Sequence, residues 1–138
     1  KSETSNLKRL EALSGLIYCS AILKGKKFFL KSALRKIARE ASRCVDANGN
    51  IRTRNPEELF SILMMLSWSN SAAIKANKFV LKKHKKIMEV LAVDIRSLRL
   101  GNGCLVHFHG GGRGDVGCID QILSSIKLPN IKIKTNTM

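Results

Sequence analysis

Negative charge, aromatic rings, paired cysteines and long apolar runs are all scarce in this sequence. Aromatic residues are 5% of the 138 residues. The core must therefore be built from Leu, Ile, Val, Ala and Met, and few rings remain to stack on nucleobases. The four cysteines, Cys19, Cys44, Cys104 and Cys118, contain no C-x-x-C pair. That excludes a dense disulfide framework and zinc-finger spacing. Cys19 and Cys44 fall in helical patterns and read as small buried apolar residues. No stretch reaches the roughly 18 consecutive apolar residues of a membrane span, so none is expected. Lys1 to Asn6 are polar and lead straight into an amphipathic segment, with no signal peptide visible. The glycine run from Gly110 to Gly114 lacks a following Gly-Lys-Ser/Thr, which rejects a P-loop.

What is abundant is positive charge. Lys and Arg number 25 against 10 Asp and Glu, a formal net charge of +15. Such a field attracts polyanions: nucleic acid, anionic polysaccharide or acidic membranes. Composition does not choose among them. A Lys-rich surface also arises from AT-rich coding or from a missing acidic partner domain. The hydrophobic fraction of 44% is that of an ordinary folded chain, and the length suits one domain with a real core.

The apolar spacing predicts four amphipathic helices. The first covers 7–24 through Leu7, Leu10, Leu13, Ile17 and Ala21, with the flanking Leu16 and Ile22 widening its buried face, and Gly25 sits at a plausible C-cap. The second covers about 28–45. Phe29, Ala33, Ile37 and Ala41 repeat every four residues, Phe28 widens the face, and Lys31, Arg35, Arg39 and Arg43 line another side. The short break makes the two an antiparallel hairpin. Asp46-Ala47-Asn48-Gly49-Asn50 is turn chemistry. Asn55-Pro56-Glu57-Glu58 is a helix start, with a capping Asn, Pro at the first helical position and two carboxylates at the positive end of the dipole. The third helix runs to about Ala76 and the fourth covers about 78–99, with a cationic face of Lys82, Lys83, Lys85 and Lys86. Leu105-Val106-His107-Phe108-His109 alternates like a strand. Asp115 caps a final short helix through Ile119, Ile122 and Leu123. The fold class is mainly α: helical hairpins over 1–100, then a β-like hairpin region near 104–110, a short helix and a linker within 101–138.

Three segments in order look like a known family. The turn Asn48-Gly49-Asn50-Ile51-Arg52-Thr53-Arg54-Asn55-Pro56, the later run Leu98 to Gly112 and the segment Asp120-Gln121-Ile122-Leu123 resemble heparinase II/III-like polysaccharide lyases, common in bacteria. The resemblance extends from about Leu7 onward. It implies part of an α/α-toroid that stops near the start of a missing β-sandwich, and so a fragment, inactive alone. It implies a uronic-acid-containing polysaccharide as partner and no strictly required cofactor. The compartment stays open between periplasm and cytoplasm.

Lyases of this type remove the proton at C5 of a uronic acid and expel the leaving oxygen. The carboxylate must first be neutralised by Asn, His or Arg, and a Tyr or His serves as base. Arg52 and Arg54 suit the carboxylate, because guanidinium makes bidentate contacts; the plain alternative is a solvated turn. Asn55 adds a neutral donor unless it only caps the third helix. Relatives place a His where this chain has Ile51, which transfers no proton. His107 and His109 share one face of the expected strand, and Arg113 could join them; the alternative is a structural hairpin. Cys104, His107, His109 and Cys118 have irregular spacing, so no metal is expected. Tyr18, the only tyrosine, and Trp68 both read as core residues. The competing reading is a basic helical module that binds nucleic acid, although no known recognition motif is present. A third is a helical remnant without a site.

Overall fold

The computed structural model describes residues 3–23, 27–77, 81–107 and 111–128. Their order is α1 (Glu3–Ile22), α2 (Lys27–Cys44), α3 (Pro56–Asn77), α4 (Lys82–Ser97) and α5 (Val116–Ser125). All five helices were legible as helical patterns, and the mainly helical class holds. Among the described residues there is no strand. In the β-like region the described residues form one isolated antiparallel bridge, between Arg99 and Leu105. The Val106 N–H donates to the Leu98 carbonyl at 2.8 Å and the Leu105 N–H to the Arg113 carbonyl at 2.9 Å. Phe108, His109 and Gly110 lie outside the described residues.

Helix α3 is the centre. It packs against α1, α2, α4 and α5. Leu59, Phe60, Ile62, Leu63, Met65, Leu66 and Ala73 on it are all buried, so its apolar residues run round the cylinder rather than along one stripe. Helices α1 and α2 form an antiparallel pair, since Arg9 near the start of α1 meets Glu40 near the end of α2 at 4.0 Å. Small residues let α1 lie close to α3: the buried Ser69 hydroxyl is 3.4 Å from that of Ser14. Helix α4 returns along α3. Its His84, 1% exposed, places Nε2 2.7 Å from the Leu66 carbonyl, which makes that nitrogen the donor. Burial pushes the imidazole below its usual 6.5, partly offset by this hydrogen bond.

Helix α5 closes the remaining side of α3. Asp115 accepts from the Cys118 N–H at 2.7 Å, the expected N-cap. Ile119, Ile122 and Leu123 join the same hydrophobic cluster as α1–α4. Arg96 of α4 donates to the Leu123 carbonyl at 2.7 Å, satisfying one of the carbonyls freed at the end of α5.

Several expectations of burial fail, and Leu16 and Ile22 of α1 are among them, both being exposed. Phe28 and Phe29 are 82% and 51% exposed, so the inner face of α2 begins at Leu30. Tyr18 and Trp68 are exposed rather than core, and Cys19 is exposed while Cys44 is half-buried. The common cause is that periodicity marks a residue as apolar without saying which of a helix's faces finds a neighbour.

Candidate functional site

The connection from α2 to α3 builds a groove that carries the arginines of the turn. It begins with Asp46, whose Oδ1 accepts from the N–H groups of Asn48 and Asn50 at 2.8 and 2.9 Å. The Asn50 N–H contributes most to holding this carboxyl below its usual range. Gly49 follows with φ 86°. Only glycine fits there, because a Cβ would collide with the Asp94 carboxylate and Val90 on α4. The turn is thereby seated on α4. Burial, and then the charge of Asp46, push the Asp94 carboxyl up.

Past the turn, Ile51 goes inward and is buried, while Arg52 and Arg54 are exposed. Arg54 has φ 50°, the only non-glycine residue with positive φ among those described. Its N–H donates to the Ile51 carbonyl at 3.1 Å. That left-handed backbone costs about 1 kcal/mol for a residue with a Cβ. Asn55 is buried and its Oδ1 accepts from the Glu57 N–H at 3.0 Å, capping α3. The Thr53 hydroxyl donates to Glu58 at 2.6 Å. The strained step at Arg54 is what lets the chain bury Ile51 and then present Asn55 to the helix.

Arg43, Arg52, Arg54, Asn55 and Asp46 line one groove of about 880 Å³, with Ile51, Pro56, Leu59 and Leu98 as its apolar wall. Arg43 is tied to Glu40 at 2.9 Å. No described carboxylate pairs with the Arg54 guanidinium. Three guanidinium groups and the Asp46 carboxylate thus meet in the groove, and guanidinium is suited to a carboxylate or sulfate ligand. Its lining includes no His and no Tyr. Asp46 lines it, but a carboxylate stabilised by backbone N–H groups is a weak base.

Of the sequence candidates, Arg52, Arg54 and Asn55 come together here. The segment carrying Arg113 is brought to the same helix start: the Gly112 N–H donates to Glu57 at 2.5 Å, and a Cβ on Gly111 would collide with the Asn55 amide. Arg113 itself is exposed and does not line the groove. His107 is exposed and also outside the lining, and His109 lies outside the described residues. Among the described residues no group of His, Cys, Asp and Glu is placed to hold a metal ion. Sequence reasoning missed Arg43 as a groove residue. The signal was its place at the end of α2, next to the turn that carries the other two arginines. Compared with known proteins, the chain matches no family model, no curated protein and no solved structure.

Proposed function

We propose that the chain is a helical, polysaccharide-lyase-like segment that holds a uronic-acid-containing anionic polysaccharide at the α2–α3 junction, and that it does not carry out β-elimination alone. One observation carries the reading. Arg52 and Arg54, named from the turn sequence, open into one groove together with Arg43. The strained backbone at Arg54 supports a binding role, since strain of this kind collects at functional positions. A hexuronate carboxylate would take bidentate contacts from these guanidinium groups, and the apolar wall of Leu59 and Leu98 would pack on the sugar ring.

Elimination needs more than this. A base must reach the C5 proton, and the lining offers only a weakly basic carboxylate. The groove would neutralise the substrate carboxylate and leave the proton in place. Incubation with alginate, heparin, heparan sulfate and hyaluronan should give binding and no absorbance from an unsaturated product. Clear turnover would contradict the second half of the proposal. Arg54→Gly supplies the sharper test of the first half. Glycine relieves the left-handed strain, so thermal stability should hold or rise, while affinity for the polysaccharide should fall about tenfold. Unchanged affinity would remove Arg54 from the site.

A second reading, non-specific nucleic-acid binding, rests on the exposed Lys82, Lys83, Lys85 and Lys86 of α4. Binding of that kind ignores sequence and disappears at moderate salt.

A further inference from the structure

Helix α1 has two apolar faces, and among the described residues only one of them is covered. Leu10, Ser14 and Ile17 are buried against the rest of the protein. On the opposite side, Ala12, Leu16, Cys19 and Leu23 recur at steps of four, three and four, and all are exposed. Leu16 is 44% exposed, Ile22 77% and Leu23 56%. From Ala12 to Leu23 there is no charged side chain. The stripe is about 16 Å long at 1.5 Å per residue. A helix that is apolar all round belongs between partners on both sides.

Beside the stripe, α1 and α2 enclose a groove of about 450 Å³ with Ala12, Leu13 and Leu16 as floor and Arg9, Lys36, Arg39 and Arg43 around the rim. Glu40, the single acid there, is occupied by Arg43 at 2.9 Å and Arg9 at 4.0 Å. Between Glu11 and Glu40 the sequence has no acidic residue, and every charge is Lys or Arg. An apolar floor with a one-signed rim specifies its occupant by charge complementarity. We infer that the outer face of α1 is a docking surface for an acidic amphipathic helix of a partner protein, with apolar residues on the α1 stripe and carboxylates against Lys36 and Arg39. A second copy of this chain fits poorly, because pairing two such faces would bring cationic rims together. A bilayer fits poorly too, since the floor is recessed between two helices. The two grooves share Arg43, but no residue of the α1 stripe lines the α2–α3 groove, and the inference stands without the polysaccharide reading.

The probe is a fluorescein-labelled synthetic helix of about three turns, with Leu at i, i+3, i+4 and i+7 and Glu flanking the stripe. Lys-flanked and scrambled Glu peptides serve as controls, and binding is read by fluorescence anisotropy. The Glu-flanked helix should bind. Leu16→Glu should weaken it at least tenfold with the circular dichroism spectrum unchanged. The variant Lys36→Glu/Arg39→Glu should reverse the preference toward the Lys-flanked helix, which keeps the inference testable should Leu16→Glu fold poorly. Equal binding of the scrambled peptide would reduce the effect to net charge and overturn the inference. So would the absence of peptide binding, a dimer in sedimentation that dissociates with Leu16→Glu, or binding to phosphatidylserine vesicles that Leu16→Glu abolishes while peptide binding is unaffected.

Discussion

Helices α1 and α3 are composed alike and end differently. Both are apolar round much of the cylinder, and they are close in length at 20 and 22 residues. Helix α3 has α1, α2, α4 and α5 around it, and most of its apolar residues are buried, Trp68 and Ile74 being its exposed large ones. Helix α1 packs on α2 and α3 alone among the substantial contacts, and its Ala12, Leu16, Tyr18, Cys19 and Ile22 are exposed. The same kind of sequence thus becomes a core in one place and an interaction surface in another. The number of neighbours decides, and the neighbours of α3 come from distant parts of the chain.

Leu63 is fully buried on α3. Leu63→Ala should destabilise the fold by about 3 kcal/mol in denaturant unfolding. A loss near zero would mean that α3 is not the centre. His84 tests whether α4 truly closes one side of α3. His84→Leu should cost about 1–2 kcal/mol at pH 7.5 through the lost hydrogen bond to Leu66. The sign with pH follows from the depressed folded pKa. Above 6.5, the usual value of this imidazole, folded and unfolded chains are both neutral at this site. As pH falls below 6.5 the unfolded chain takes the proton first, so stability drops. In His84→Leu this component of the acid-side decline should vanish; a decline identical to the parent's would place the sensitivity elsewhere.

Asp115 tests the other side of α3. Asp115→Ala removes the cap of α5 and should cost about 1 kcal/mol in thermal or denaturant unfolding. Full retention of stability would show that α5 is held by packing alone. The smallest effect belongs to α1. Leu16→Gln should change stability by less than about 0.5 kcal/mol, since the side chain leaves no cavity and lies at the surface. A loss comparable to that of Leu63→Ala would erase the contrast between the two helices.

Much of this was visible in the sequence where local chemistry is decisive. Asn55-Pro56 and Asp115 mark helix starts because capping needs only neighbouring N–H groups, and both caps formed. Arg52 and Arg54 were visible as a turn pair, and the turn does place them in one groove. What sequence could not supply was the identity of the covered faces. Tyr18, Trp68 and Cys19 lie in apolar patterns, yet each is exposed. His84 was hidden differently. Its neighbours Lys82, Lys83, Lys85 and Lys86 give the segment a solvated look, whereas its spacing to the buried Met88, Leu91 and Ile95 marks the inner face of α4. The approach of Gly111 to Asn55 depends on a long-range contact that no local pattern encodes.

The most direct measurement is polyuronate binding across a salt series for the parent, for Arg52→Ala/Arg54→Ala and for a variant with Lys82, Lys83, Lys85 and Lys86 all changed to Gln. If the α2–α3 groove is the binding site, the double arginine variant loses at least tenfold in affinity and the α4 variant keeps most of it, although the latter gives up more charge. The opposite ranking, with the lysines of α4 carrying the binding and the arginines dispensable, would contradict the proposed function.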